Sequence, residues 1–209
     1  MKLTCVCPVW ARPQRTFRAI EYVANQSFEG AETIFMGDGC SIFQKNIDDG
    51  VYDELVKSAE QKGNKIILAN LPEHYGGWGY MARKEAISLA KGEYIIFYDN
   101  DDVILSSHFR NYHSFMEANP SVGLGYFNTY IEPWKKVRDA VLGDGGVGHS
   151  EIIVKTELAK QFYEADQDYG HDWRFIKKLI EAKIEHKKST SNYTYTVKGV
   201  PSGREQGID

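Results

Sequence analysis

The chain has 209 residues, of which 42% are hydrophobic and 13% aromatic, which is ample for one well-packed domain and short for two. Its net charge is −4 with acidic and basic residues mixed, so the sequence shows neither a nucleic-acid-binding tract nor a polybasic membrane patch. No apolar run approaches the length of a membrane span, and no signal-peptide core follows Met1. We therefore expect one soluble, cytoplasmic domain with no transmembrane segment and no nucleic-acid partner, which could belong to a longer protein.

The first hundred residues alternate strand-like and helix-like patterns four times. Strand-like apolar runs cover residues 3–9, 32–36, 65–69 and 93–98. Helical apolar stripes lie between them, with members Phe17, Ile20, Val23 and Ala24, then Ile47, Val51, Leu55 and Ala59, then Ala82, Ala86, Leu89 and Ala90. This alternation predicts an α/β fold with a parallel sheet and right-handed crossovers, whose functional loops gather at one edge.

The second half is less regular. We predict a helix over residues 107–118, short strands near 122–126 and 151–154, an amphipathic helix around 175–180, and a late strand around 193–197. Residues 201–209 form a polar tail.

The fourth strand pattern runs directly into Asp99, Asn100, Asp101 and Asp102. Ligands of open α/β sheets bind at the carboxyl ends of strands, and grouped carboxylates suit a hard divalent cation that can hold a diphosphate. A solvated acidic loop is the alternative. An EF-hand loop is excluded, because its sixth position would be Ile104 instead of Gly and its twelfth Arg110 instead of Glu. The turn is therefore a candidate metal-nucleotide site.

Cys5, Cys7 and Cys40 are interpreted as buried reduced thiols of a protein in a reducing compartment. A zinc site is disfavoured because no fourth ligand lies at a familiar spacing.

Four local patterns occur in a particular order: Pro8-Val9-Trp10-Ala11-Arg12, Gly37-Asp38-Gly39-Cys40-Ser41, Gly79-Tyr80-Met81-Ala82-Arg83-Lys84, and the acidic strand Gly92 to Asp102. This order resembles the nucleotide-binding half of the GT-A glycosyltransferases, especially family 2. Gly170-His171-Asp172-Trp173-Arg174-Phe175 is similar to that family's Glu-Asp motif at the start of a late helix.

The resemblance covers Leu3 to about Lys198 and implies one GT-A, Rossmann-like domain over residues 1–209. Its central sheet would be mostly parallel and flanked by helices. Residues 1–102 would bind the nucleotide and residues 103–200, a smaller region, the acceptor. The chain also resembles a small viral domain of the family, which would suggest a role in building surface glycans.

For the donor, the resemblance implies a UDP-sugar held with Mn²⁺ or Mg²⁺. Asp101 would ligate the metal, while Asp99 would lie near the ribose or near the metal and its bound water. Asn100 can hydrogen-bond the nucleotide. Asp102 has three open roles: holding a metal-bound water, contacting the donor sugar, or capping the next segment.

For the nucleoside, the resemblance implies that Asp38, followed by Gly39, accepts the imide N–H of uracil. Backbone groups and an apolar wall would come from the first loop, with members Pro8, Val9, Trp10 and Arg12. Arg83 would lie near the nucleotide. The alternatives are an ordinary Asp-Gly turn for Asp38 and a solvated helix arginine for Arg83.

For the acceptor, the resemblance makes Asp172 the candidate general base, which would give single displacement with inversion. Asp172 could instead serve only the N-terminus of its helix. His171 replaces the family's usual Glu, which puts acceptor contacts in doubt. Where some relatives place a metal-binding His, this chain offers Lys198, with His186 and His149 as possible substitutes.

Aromatic faces suit a pyranose, and Tyr75, Trp78 and Trp134 are candidates, Trp78 being preferred. Residues 143–148 fit a G-x-G-x-x-G pattern, but a strand follows where a dinucleotide fingerprint needs a helix. We expect an acceptor-side loop there, with Asp144 or His149 touching sugar.

The acceptor is expected to be an oligosaccharide or glycoconjugate. Two rival functions remain open. A nucleotidyltransferase would need a glycine-rich basic loop after strand one, which this chain lacks, and a non-catalytic nucleotide- or carbohydrate-binding module would need no general base.

Overall fold

The computed structural model describes residues 1–131, 135–164 and 170–189, together with the backbone of Thr196–Lys198. The helices in this part of the chain are α1 (Pro13–Ala24), α2 (Ser41–Asp48), α3 (Asp53–Gln61), α4 (Tyr80–Leu89), α5 (His108–Glu117), α6 (Thr156–Phe162) and α7 (His171–Glu181). The strands are β1 (Leu3–Val9), β2 (Ala31–Gly37), β3 (Lys65–Asn70), β4 (Tyr94–Phe97), β5 (Val103–Ile104), β6 (Leu124–Tyr126), β7 (Thr129–Ile131), β8 (Lys136–Arg138), β9 (Ile152–Lys155), β10 (His186–Lys188) and β11 (Thr196–Lys198).

The central sheet has the order β10-β6-β9-β4-β1-β2-β3 among the described strands. Its first-half strands β4, β1, β2 and β3 are parallel, which confirms the predicted α/β architecture. Strand β9 from the second half lies antiparallel between β4 and β6. A smaller sheet has the order β5-β11-β7-β8.

The strands β1, β2 and β4 are buried nearly throughout because helices and loops cover both faces of the sheet. Alternate residues of β1 contribute to different hydrophobic clusters: Cys5 and Cys7 lie in one and Val6 in the other. The cysteines are free and buried, as predicted. Within the described ranges no helix has the length and apolarity that a membrane crossing requires.

The prediction of one helix over Ile47 to Ala59 is wrong, because the segment divides into α2 and α3. Gly50 adopts φ +69°, a left-handed conformation that ends the first helix and redirects the chain. In the second half, α6 and the short strands β5, β7, β8 and β10 were not predicted. Of the late strand, Val197 lies in β11, whereas Tyr193 and Tyr195 lie outside the described residues.

Candidate active site

The predicted donor residues follow the carboxyl ends of neighbouring parallel strands. Val9 at the end of β1 pairs with Gly37 at the end of β2, and Val6 pairs with Phe97 at the end of β4. The loops that begin at these three positions therefore meet at one edge of the sheet, which is where ligands bind in open α/β sheets. They contain residues 10–12, 38–40 and 99–102.

Asp38 is buried, and its carboxylate holds the segment that follows β3. The backbone N–H of Tyr75 donates to Oδ1 at 3.0 Å, and that of Gly76 donates to Oδ2 at 2.9 Å. The Nδ1 atom of His74 lies 2.9 Å from the same Oδ2. Asp38 thus joins the β2–α2 and β3–α4 loops, and its predicted contact with uracil would have to share a carboxylate already bonded to the protein.

Gly39 fits this junction because it lacks a side chain. Its φ is +66°, and a Cβ atom would lie 2.3 Å from the carbonyl carbon of Glu73. The Asp-Gly pattern is therefore a turn that also fixes the Asp38 side chain against a second loop.

The ring of Trp10 stacks on that of His74 with centroids 3.6 Å apart, and 48% of the Trp10 surface remains exposed. Ala11 and Arg12, next along this loop, have left-handed φ values of 51° and 55°. Such backbone conformations in non-glycine residues cluster at functional sites. His74 had no predicted role, since an isolated histidine in a glycine-rich loop carries no periodic signal.

Arg83 is 5% exposed, so the alternative of a solvated helix arginine is wrong. Its guanidinium donates to the Trp78 carbonyl at 2.6 Å and pairs with Asp99 Oδ1 at 2.5 Å. Burial is the largest single influence and would lower the pKa of Arg83, but Asp99, Tyr163 and Cys7 together outweigh it, Asp99 most among them, and hold that pKa above its ordinary value. Arg83 thereby fixes Asp99 at the mouth of the site.

Asp101 faces the loop after β1. Its Oδ2 lies 3.1 Å from Nη1 of Arg12 and 3.7 Å from Nη1 of Arg15. Its side chain is 37% exposed, and that of Asp99 is 30% exposed. These arginines neutralise Asp101 in this structure.

The other two residues of the acidic turn make contacts within the protein. Asn100 donates from Nδ2 to the hydroxyl of Thr16 at 3.1 Å. Asp102 is 6% exposed, its N–H donates to the Asp99 carbonyl at 2.9 Å, and its own carbonyl accepts the Tyr98 hydroxyl at 3.0 Å. The backbone of Asp102 therefore closes the turn, and the three alternative roles of its carboxylate stay predictions.

No group of three or more acidic, histidine or cysteine side chains in the described residues is arranged as a metal cage. Asp99 and Asp101 nonetheless fit a nucleotide-linked Mn²⁺ or Mg²⁺. Magnesium usually takes one or two carboxylates and completes its shell with substrate phosphates and water, and both carboxylates here are partly exposed at the edge of the sheet.

Asp172 lies in the first turn of α7, after Gly170 with φ +83°. Its Oδ1 accepts the backbone N–H of Trp173 at 2.7 Å, so it does serve the helix N-terminus. Its Oδ2 approaches Gly148, where a Cβ atom would lie 3.4 Å away. One carboxylate oxygen thus contacts the helix backbone, and the other faces the loop before β9.

Tyr163, directly after α6, lies between the end of β4 and helix α7, because its ring contacts those of Phe97 and Phe175. Burial raises the pKa of its phenol to about 12, and the charges of Arg83, Asp99 and Asp172 all act on it. Its ring also lies against Phe97, with centroids 6.2 Å apart. Sequence reasoning missed Tyr163, because one aromatic residue at the end of a short helix reads as core.

His149 is 5% exposed, and its ring lies 4.8 Å from that of Phe97 and 5.0 Å from that of His171. Asp144 and Trp78 are exposed, Trp78 at 68%. Their predicted sugar contacts, like that of His171, stay predictions.

His186 lies on β10, which β6 and β9 separate from β4, so this substitute metal ligand does not join the acidic turn. Trp134 and the side chain of Lys198 lie outside the described residues.

A model of glycosyl transferase family 2 matches residues 4–184. The chain belongs to this family. Its fold is that of the GT-A glycosyltransferases: it superposes on Staphylococcus aureus TarS 1–349, solved with UDP-GlcNAc, at a TM-score of 0.75 and 16% identity, covering 100% of this chain and 62% of that one. A mannosyltransferase from Pyrobaculum calidifontis, solved with GDP-Man and Mn²⁺, gives a TM-score of 0.72 at 16% identity, covering 97% and 58%.

Among curated members of the family, the poly(ribitol-phosphate) beta-glucosyltransferase of Bacillus spizizenii is 28% identical over 58% of this chain and 18% of its own length. The GalNAc(5)-diNAcBac-PP-undecaprenol beta-1,3-glucosyltransferase of Campylobacter jejuni is 26% identical over 77% of this chain and 48% of its own length. The chain therefore matches less than half the length of either relative.

Proposed function

We propose that this family 2 domain transfers a sugar from a UDP-sugar to a hydroxyl of an oligosaccharide or glycoconjugate, with Mn²⁺ or Mg²⁺ and with inversion. The observation that carries the proposal is the position of the His149 ring, which lies 4.8 Å from that of Phe97 at the end of β4 and 5.0 Å from that of His171, the residue before Asp172. The helix turn with the candidate base therefore lies near the strand end that leads into the acidic turn. Asp38, Asp101 and the Trp10–His74 stack complete the donor side.

The solved relatives support the donor class, since TarS was solved with UDP-GlcNAc and the mannosyltransferase with GDP-Man and Mn²⁺. The choice of uridine here rests on Asp38. The two curated relatives named above are a poly(ribitol-phosphate) glucosyltransferase and a glucosyltransferase for a glycan linked to undecaprenol diphosphate, which supports an acceptor of the glycoconjugate class and a role in glycan synthesis.

In the proposed reaction, Asp172 takes the proton of the attacking acceptor hydroxyl, a contribution on the order of 10² to 10⁴ in rate. Asp101 and Asp99 would hold the metal, which would supply Lewis-acid stabilisation of the departing diphosphate. Arg83 keeps Asp99 in place. Three buried free thiols support a reducing compartment such as the cytoplasm for this activity. Viral origin stays a prediction.

The test is a donor screen with Mn²⁺, followed by determination of the anomeric configuration of the product. We expect turnover with a UDP-sugar, inverted configuration, loss of activity with chelator and in Asp101→Ala, and a loss of at least about 100-fold in Asp172→Asn. Retained configuration or full activity in Asp172→Asn would contradict the base. UDP that binds equally well with chelator and with manganese would contradict the metal site.

The rival functions predict other outcomes of the same screen. Nucleotide or sugar binding without turnover on any donor would favour a non-catalytic module, and formation of a nucleotide sugar from a sugar phosphate would favour a nucleotidyltransferase.

A further inference from the structure

Glu151 is a buried carboxylate on the acceptor side with no role in the mechanism above. It is 1% exposed and is the last residue of the 3-10 turn His149–Glu151, immediately before β9. A carboxylate removed from water in this way is costly unless its charge is paired and its oxygens accept hydrogen bonds.

The Glu151 side chain meets both requirements through three donors. Its Oε1 accepts the hydroxyl of Thr129 on β7 and the guanidinium of Arg138 on β8, two residues that face each other across the β7–β8 hairpin. Its Oε2 accepts the backbone N–H of Gly148 at 2.5 Å. One carboxylate therefore joins the hairpin of the small sheet to the end of the 143–148 loop.

The segment that Glu151 holds lies against the first turn of α7. A Cβ atom on Gly148 would lie 3.4 Å from Oδ2 of Asp172 and 3.5 Å from Oε2 of Glu151, so both carboxylates lie against the same side of Gly148. The next residue, His149, has its ring 5.0 Å from that of His171. The first turn of α7, which contains the proposed base, therefore lies against Gly148, which Glu151 holds, and against the neighbouring His149.

From this geometry we infer that Glu151 is a positioning residue for the general base Asp172. The inference rests on the proposed function. Glu151 is buried and acts through Gly148, whose N–H it binds, because Gly148 lies against Asp172 and limits where that carboxylate and the first turn of α7 lie. Displacement of a reacting group by about 1 Å can cost on the order of 100-fold in rate, so residues that hold the base in position increase the rate of transfer.

The test is a double-mutant cycle of Glu151→Gln with Asp172→Asn in the full chain. We expect Glu151→Gln to lower kcat for transfer about tenfold or more, while the Kd for UDP and the KM for the donor change less than about twofold. In the Asp172→Asn background, Glu151→Gln should cause little further loss, because a group that acts through the base has no effect once the base is gone.

Glu32→Gln is the matched control. Glu32 is also 1% exposed, and its Oε1 accepts the Thr4 hydroxyl and the Lys91 N–H, but it lies in β2, away from α7. It should lower the melting temperature without a comparable loss of kcat, and whatever loss it causes should multiply with that of Asp172→Asn. If Glu151→Gln does not fold, Thr129→Val replaces it in the cycle, since it removes one hydrogen bond from the same carboxylate.

Wild-type kcat in Glu151→Gln, or losses that multiply with Asp172→Asn, would overturn the inference and leave the proposed function intact. Full transfer by Asp172→Asn alone would show that the base assignment is wrong, and the positioning role would fall with it.

Discussion

Arg83 pairs with Asp99 from a nearly buried position inside α4. We expect Arg83→Met to destabilise the protein by about 1–3 kcal/mol, less than for a fully buried pair because solvent screens the partly exposed Asp99. We also expect it to weaken UDP binding about tenfold or more, since Asp99 loses its charged hydrogen-bond partner. Calorimetric titration and thermal melts check both effects. The control Arg18→Met changes an exposed arginine of α1, and equal effects of the two substitutions would contradict the prediction.

His108, the first residue of α5, gives the fold a dependence on pH. Burial lowers the pKa of His108 to about 3 from an ordinary value of 6.5. Below about pH 6.5 the unfolded chain gains a proton that the folded chain does not, so stability falls with pH by up to about 1.4 kcal/mol per unit. We expect His108→Phe to show a shallower decline in melting temperature from pH 7 to pH 4.5. The exposed His186→Phe should follow the wild-type decline, and identical slopes in all three proteins would contradict the assignment.

Residues in loops at strand ends were easier to predict than residues between strands. The sequence indicated Asp38 and the acidic turn because each directly follows a buried strand, and the structure puts both at one edge of the sheet. It gave no signal for Tyr163 or Glu151. Their partners, such as Arg83, Thr129 and Arg138, lie elsewhere along the chain, and no local pattern predicts such pairings.

At the level of elements, two glycines with left-handed backbone conformations allow the cost of backbone strain to be distinguished from the cost of a steric clash. Gly39 at φ +66° would place a Cβ atom 2.3 Å from Glu73, whereas Gly145 at φ +70° has nothing within 4 Å. We expect Gly145→Ala to cost about 1 kcal/mol from backbone strain alone, and Gly39→Ala at least about 2 kcal/mol with weaker UDP binding. Denaturant unfolding and UDP titration check this. Equal costs would mean that the contact between the β2–α2 and β3–α4 loops contributes nothing.

Element length decides which parts of the fold the sequence reveals. The strands β1, β2, β3 and β4 are four to seven residues long and mostly apolar, and their predicted positions and parallel direction are confirmed. Strands β5, β7, β8 and β10 have two or three residues each, too few for an alternating pattern. Long-range pairing forms them, for example between Thr129 and Arg138.

At the scale of the whole molecule, the two halves of the chain share one sheet. Strand β4 of the first half pairs with β1 on one side and with β9 of the second half on the other. We therefore expect one cooperative thermal transition, with coincident far- and near-ultraviolet circular dichroism curves. Two separated transitions would contradict a single folding unit and would support independent nucleotide and acceptor halves.

The antiparallel pairing of β9 with β4 also affects how the nascent chain folds during translation. While the ribosome translates the roughly fifty residues between these strands, β4 has an unpaired edge of backbone N–H and C=O groups. The nascent domain cannot close until Ile152–Lys155 leaves the exit tunnel, and in that interval its apolar edge can recruit other strands. Slow translation of this interval should therefore increase aggregation, and early chaperone binding should reduce it.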